Sequence, residues 1–320
     1  MNWPQKAQKA QKQISPGAFQ TRGRGRPRSS LLLFGATATS PGEFFAPADQ
    51  AGTSSGVLDT ANKPVKTPLQ RAPRPVLGLA FSVLVLLVFF VAVPLIIAHR
   101  GASAEAPENT LAAFRRALAL KVDGIELDVQ LTRDGVPVVF HDASLRRLTG
   151  SRSRLTEKSA DELANLRVRG TEPIPRLVEV LCLTRGRAVV QIELKAGVAV
   201  APVIRAIKSS RATAWVILAS FEPALVRESL RLAPAVPRML ISTGRSAPAA
   251  LARQLASLGA RGLSVNHRAV RSAAWVEYFH ARGYSVWCWT VNDDRTARRL
   301  AGWGIDGLLG DNPALLKRSV

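Results

Sequence analysis

Glu126 and Asp128 stand two residues apart in Gly124-Ile-Glu-Leu-Asp-Val129, an otherwise apolar run. In an extended strand residues i and i+2 share a face, so the two carboxylates converge. Asp134-Gly135 follows, and as a two-residue hairpin turn it would pair Arg133 with Val136. Continued along the ladder, that register puts Asp128 opposite His141 and gathers Glu126, Asp128 and His141 on one face. A slip of one residue would undo it. Paired carboxylates on a strand whose other face is apolar call for a cation. A ligand set of oxygen without cysteine suits Mg²⁺, Ca²⁺ or Mn²⁺. Glu193-Leu-Lys195 repeats the device, with both charges on one face. It reads as a third metal carboxylate and a phosphate-binding lysine, or as a structural ion pair.

The chain has four histidines, His99, His141, His267 and His280. His99 and His141 each close an apolar run beside charged residues, which suits a general acid and a general base. Arg100 offers a planar fork for phosphate oxygens, and Gly101 allows a tight backbone turn. In Pro107-Glu-Asn-Thr110, Asn109 or Thr110 reads as a helix N-cap and Glu108 suits a helix start, so neither needs a function on that ground. His267 and His280 match no catalytic pattern and read as surface or helix residues. Arg146, Arg147, Arg152 and Arg154 form a basic cluster that either attracts an anionic substrate or is a solvated loop.

These residues need a scaffold that brings separate strand ends together. Nine short apolar runs lie between residue 94 and the C-terminus: PLIIA, GIELDV, VPVVF, AVVQIEL, WVILAS, RMLIS, GLSV, YSVWCWTV and GIDGLLG. Most are separated by stretches with helical spacing, such as Thr110–Leu120. The alternation predicts an α/β fold, a distorted eight-stranded (β/α) TIM barrel with active-site residues at the strand C-termini. Nine runs exceed eight. The connector between the second and third is too short for a parallel crossover, so the extra strand forms an antiparallel hairpin.

The 320 residues carry 44 Lys+Arg against 23 Asp+Glu, a net charge of +21, with 47% hydrophobic residues and two cysteines. That composition excludes a wholly disordered chain and a disulfide-stapled scaffold. Cys182 and Cys288 lie in apolar runs and read as reduced core residues. The charge divides into +8 over residues 1–75 and +13 over 94–320. Residues 1–75 lack core periodicity and read as a disordered basic tail. Residues 76–98 are 23 without a charge. Pro94 divides them, so 76–93 reads as a transmembrane helix near the minimum length and Leu95–Ala98 as a strand. This predicts a single-pass membrane protein with a slight bias, from the flanking basic residues, toward a non-cytoplasmic catalytic domain.

The motifs in order are His99-Arg-Gly, Pro107-Glu-Asn-Thr, Gly124-Ile-Glu-Leu-Asp-Val129, Thr132-Arg-Asp-Gly135, Val139-Phe-His-Asp142, Ile174-Pro175, Glu193-Leu-Lys195, Ser220-Phe221, Trp289-Thr-Val-Asn292 and Gly307-Leu-Leu-Gly-Asp-Asn-Pro313. Together they resemble the glycerophosphodiester phosphodiesterases across 94–320 and not before. The resemblance implies a barrel related to phosphatidylinositol-specific phospholipases C. It also implies hydrolysis of glycerophosphodiesters to glycerol 3-phosphate and an alcohol with one divalent cation, by attack of the neighbouring glycerol hydroxyl through a cyclic phosphate. It implies that His99 and His141 are the general acid and base, that Glu126, Asp128 and Glu193 hold the metal, and that Arg100 and Lys195 contact phosphate. Glu108 falls at a substrate-side position near the first histidine, and Trp289 at the site mouth. Two departures stand out. The closing Gly-Asp-Asn-Pro replaces the usual Thr-Asp-x-Pro, read as affecting a barrel end, and the short stretch between Thr149 and Ile174 leaves no room for a large covering subdomain.

Two other readings compete. A membrane-anchored lysophospholipase D would share the reaction class. Arg24-Gly-Arg-Pro-Arg28 resembles a minor-groove-binding arm, so DNA binding by the tail is a remote alternative. A catalytically silent binding module is disfavoured because every expected catalytic position is filled.

Overall fold

A computed structural model describes residues 93–320 of the chain. The expected tail and all of the expected membrane helix except Val93 lie outside the described residues. Val93 itself is irregular and exposed. The single-pass membrane location is corrected here: among the described residues no helix is long and apolar enough to cross a membrane. The longest have ten residues, about 15 Å at 1.5 Å per residue against a hydrocarbon core of roughly 30 Å.

All nine apolar runs form strands. Eight pair in parallel and close on themselves: β1 (Leu95–Ala98), β2 (Gly124–Leu131), β6 (Val189–Leu194), β7 (Val216–Ser220), β8 (Arg238–Ser242), β9 (Gly262–Asn266), β10 (Ser285–Trp289) and β11 (Gly307–Gly310). Both β11 and β2 flank β1, which completes the barrel. The ninth strand, β3 (Pro137–Val139), pairs antiparallel with β2 outside the ring. Two short strands, β4 (Arg167–Val168) and β5 (Glu172–Pro173), form a separate hairpin.

The expected hairpin exists, but in a register one residue away. Val129 pairs with Val139 and Leu131 with Pro137, and Phe140 N–H donates to the Asp128 carbonyl. Asp128 is therefore opposite Phe140 and not His141. The turn has three residues instead of two: Thr132 N–H donates to the Val136 carbonyl, and Gly135 N–H to the Thr132 carbonyl. Thr132 Oγ1 accepts from Val136 N–H and contacts Asp134, which fastens the longer turn. Gly135 supplies the left-handed residue it needs, at φ 75°.

Helices cover the ring. Helix α1 (Leu111–Ala119) starts where Thr110 accepts from Ala113 N–H, so Thr110 and not Asn109 is the cap. Its buried Phe114 and Ala117 pack on Ile125, Leu127 and Val129, the outward residues of β2. Gly101, at φ 82°, lies so close to α1 that a Cβ there would stand 2.7 Å from that of Ala113. The expected tight turn is thus needed for packing. Inside the ring, Ile97, Ile217, Met239, Trp287 and Leu309 fill an apolar plug. The insertion after β3 is small. Helix α2 (Arg146–Thr149), a 3₁₀ turn at Leu155–Glu157 and helix α3 (Ala160–Ala164) gather around Phe140, Leu145, Leu148, Leu155 and Leu163. Helix α4 (Leu177–Thr184) carries Cys182 on its exposed side, which corrects its reading as core, whereas Cys288 is buried; both are free.

Candidate active site

Above the apolar plug, the strand C-termini turn charged. Glu126 and Asp128 are buried on the inward face of β2. The parallel register sets Asp128 beside Glu193 of β6. Oxygens of Glu126, Asp128 and Glu193 all lie within 4.8 Å of one another. Lys195, just past β6, places Nζ 2.6 Å from Glu193 and 3.2 Å from Asp128. Arg100 donates its backbone N–H to Glu126 at 2.9 Å, and its Nε lies 3.3 Å from Asp128. Three carboxylates thus face two permanent cations.

That imbalance appears in the proton affinities. Burial, reinforced by Asp128, pushes Glu126 up to about 8. Glu193 is raised by burial and by Asp128, with Lys195 opposing. Burial also works against the Asp128 charge, but Lys195, Arg100 and His141 hold its carboxyl below the usual range. Burial disfavours the Lys195 charge too, yet Asp128 and Glu193 keep its ammonium more basic than normal. A buried cluster of oxygen donors, short of positive charge, is the chemistry a hard divalent cation fits.

Two imidazoles border this cluster. His99 follows β1. Its Nδ1 is 2.6 Å from Asp311 Oδ1, and its Nε2 is 4.0 Å from Glu126. Asp311 is set in turn by Ser103 Oγ at 3.1 Å, by the Asn292 amide at 2.6 Å, and by its own N–H to Asn292 Oδ1. Burial disfavours protonation of His99, but the Asp311 hydrogen bond and the Glu126 charge outweigh it and raise its affinity for protons. His141 lies beyond the end of β3, where ladder pairing no longer dictates direction. Gln130, on the same face of β2 as the two carboxylates, directs its amide Nε2 at the carbonyls of Phe140, His141 and Asp142, at 3.0, 3.1 and 2.7 Å. His141 Nδ1 is 2.6 Å from Asp142 Oδ1. The Arg147 hydrogen bond is the main reason Asp142 is held down at about 2. Burial works against the Asp311 charge, but hydrogen bonds from His99, Asn292 and Ser103 hold its carboxyl below the usual range. Both aspartates are therefore ionised and can only accept, which places a proton on each Nδ1 and leaves each Nε2 for the site.

His99, His141, Glu126, Glu193, Lys195 and Arg100 open on a cavity of about 150 Å³ whose other wall is apolar, with Trp289, Ile241 and Leu309. Trp289 Nε1 donates to the Ser264 carbonyl, and its ring meets exposed Phe221 edge-on at 5.7 Å. Eight of the nine expected residues are thus together. Asp128 lies just beneath this wall, held to Lys195 and Arg100. Glu108, the ninth, is not on the wall of this cavity. It borders an adjoining one of about 430 Å³, and its oxygens are taken by Arg100 and Arg147 at 2.8 Å.

Several participants were not expected. Asp311 belongs to the closing Gly-Asp-Asn-Pro, which the sequence suggested would affect only a barrel end; it instead supports His99. Asp142 directly follows His141 and links that ring to Arg147. Asn109 is left-handed at φ 59° and donates to Asp128 at 2.8 Å, so it does more than precede a helix. Arg147 is exposed, as Arg146, Arg152 and Arg154 are, but it is not a free loop cation: it pairs with Glu108 and Asp142.

The sequence model of the Glycerophosphoryl diester phosphodiesterase family matches residues 99–315, the span from the first of these histidines to just past the aspartate that supports it. The chain belongs to this family. Membership makes it a phosphodiester hydrolase. A glycerophosphodiester phosphodiesterase of Caldanaerobacter subterraneus is 34% identical over 236 residues, 69% of this chain and 96% of the relative. A phosphodiesterase of Oleispira antarctica, solved in complex with the product sn-glycerol-3-phosphate, superposes with a TM-score of 0.66 at 28% identity, covering 71% of this chain and 96% of that one. The glycerophosphodiester phosphodiesterase of Agrobacterium tumefaciens gives 0.63 at 28% identity, with 70% and 99% covered. The likeness is to the barrel, and the solved relatives share its architecture.

Proposed function

We propose that this chain hydrolyses glycerophosphodiesters to sn-glycerol 3-phosphate and an alcohol, with His99 and His141 transferring the protons. The observation that carries this reading is the pair of imidazoles, each with Nδ1 on an ionised aspartate, bordering one cavity with three clustered carboxylates. The substrate class follows from the family and from the product held by the Oleispira relative.

Glu126, Asp128 and Glu193 would hold one divalent cation, which when bound supplies Lewis-acid stabilisation of charge on a phosphoryl oxygen. Arg100 and Lys195 neutralise the remaining phosphate oxygens from fixed positions, and so favour the more highly charged transition state. One imidazole, neutral, takes the proton of the attacking oxygen at Nε2, and the other, starting as an imidazolium protonated on both nitrogens, donates its Nε2 proton to the departing alkoxide. Asp311 and Asp142 fix the ring orientation and tautomer and stabilise the imidazolium during each transfer. Trp289 and Phe221 exclude water from the carbon skeleton of the substrate, and Glu108 sets Arg100. The lysophospholipid and DNA readings rested on the segment before Pro94, which apart from Val93 lies outside the described residues.

The test is turnover of glycerophosphocholine by His99→Ala and His141→Ala with Mg²⁺ or Ca²⁺ present. Each is expected to lose roughly 10²–10⁴-fold in kcat. Near-native turnover by either variant overturns the assignment.

A further inference from the structure

Arg147 stands outside the cavity, is 44% exposed at its side chain, and touches none of the groups assigned above to metal or phosphate. Its guanidinium nevertheless makes four hydrogen bonds to two carboxylates. Its NH1 and NH2 take the two oxygens of Glu108, each at 2.8 Å. Its Nε and NH2 take the two oxygens of Asp142, at 2.5 and 3.1 Å. The far ends of this bridge are the two functional halves of the site. Glu108 accepts from Arg100 NH1 at 2.8 Å, and Asp142 holds His141 Nδ1 at 2.6 Å. The partners come from distant points in the chain, the loop before α1 and the loop after β3, so no single element sets their spacing.

We propose that Arg147 is a positioning residue for the hydrolysis: through Asp142 and Glu108 it sets the His141 imidazole and the Arg100 guanidinium against each other across the phosphate. This rests on the reading of His141 and Arg100 given above. A guanidinium is suited to the place and an ammonium is not. Its planar fork meets two carboxylates along two edges at once, whereas a lysine offers one point charge. The bridge also explains why a half-exposed arginine is so fully engaged. Without it, Asp142 would retain only His141, and Glu108 only Arg100. Gln130 would still hold the His141 backbone through its carbonyls, so removing Arg147 releases the ring orientation without releasing the loop.

The experiment compares Arg147→Ala, Arg147→Lys and Asp142→Asn with the wild-type chain, on glycerophosphocholine and on a glycerophosphodiester with a nitrophenol leaving group. Arg147→Ala is expected to lose about 30-fold in kcat, within the roughly 10²-fold scale of acid–base placement, with KM changed about threefold or less and the melting temperature within about 3 °C. Arg147→Lys should recover only a small part. Because the side chain is half exposed, free guanidinium at millimolar concentration should restore Arg147→Ala several-fold and leave Arg147→Lys and wild type unchanged. The double variant Arg147→Ala with Asp142→Asn should lose little more than Asp142→Asn alone, as expected for members of one unit. A loss of less than about threefold in Arg147→Ala, no rescue by guanidinium, or full additivity with Asp142→Asn overturns the relay. A folding defect would lower the melting temperature and the active fraction without rescue, and so counts against it. Failure of the underlying reading shows separately, as retained turnover in His141→Ala.

Discussion

Histidine meets aspartate at both ends of this barrel, with different consequences. At the C-terminal end of the strands, His99 and His141 place Nδ1 2.6 Å from Asp311 and Asp142. At the opposite end, His280 closes the helix Ala273–His280, and its Nε2 lies 2.8 Å from Asp306, just before β11. Asp306 also accepts the Val286 N–H at 2.7 Å, so this lower pair ties a helix end to two strand starts. The contacts are alike in length and chemistry. What separates them is the surroundings: the upper rings border a cavity with clustered carboxylates and two fixed cations, whereas the lower ring meets an aspartate whose same oxygen takes a strand N–H. Histidine on a carboxylate is therefore no mark of catalysis by itself. The group beyond the ring decides.

Replacing the histidines one at a time is the strongest way to break this contrast. His99→Ala and His141→Ala should each lose roughly 10²–10⁴-fold in kcat. His280→Ala should keep kcat within about twofold and instead lose about 1–2 kcal/mol of stability, the scale of a part-buried hydrogen bond left unmade. Measured turnover and denaturant unfolding of the three variants decide it, and a large kcat loss in His280→Ala would erase the distinction.

The supporting aspartates give the next largest effect. Asp311→Asn should lower kcat about 10²-fold and, followed by the His99 resonance in an NMR titration, move His99 toward a lower proton affinity. Asp311 supplies the hydrogen bond that offsets burial there. Asp306→Asn should leave kcat unchanged. An unmoved His99 titration in Asp311→Asn would sink the proposed role of that aspartate.

Metal removal separates the poles by ligand. Chelation should abolish most turnover, and added Mg²⁺ or Ca²⁺ should restore it and raise the melting temperature, because a ligand bound to the folded state alone stabilises it. Both effects should vanish in Glu126→Gln and persist in His280→Ala. Full activity in the chelator would refute the metal reading.

The smallest expected effect is a pH dependence at the lower pole. The hydrogen bond to Asp306 raises His280 above its ordinary value near 6.5, with burial opposing. A group whose folded-state value is raised stabilises fully below its unfolded value and loses that contribution as pH rises through the folded one. The stability difference between wild type and His280→Gln should therefore be largest below about pH 6.5 and shrink above it. A difference that grows with pH would contradict the pairing.

Much of the upper pole was legible in the chain. The alternation of short apolar runs with helical stretches marks a barrel because each period reports which face an element must bury. Glu126 and Asp128 stand out because charge inside an apolar strand is costly unless it serves a purpose. His141 borders the cavity, but not through the expected strand register. The hairpin turn is one residue longer than Asp134-Gly135 implies, and the ring reaches the cavity because Gln130 captures the loop after the strand has ended. Glu108 was linked to the substrate side by its position and proves to be spent on two arginines.

The amino-acid sequence by itself determined the period of each element, the residue types able to hold a divalent cation, and the pair of histidines at strand ends, since these depend on local spacing. Only the tertiary structure decided that Asp128 lies beside Glu193, that Asp311 supports His99, and that Arg147 joins Glu108 to Asp142. Each of those contacts spans from a few to more than two hundred residues of chain. Their existence depends on barrel closure and strand register, which follow from packing the whole ring and from no single segment.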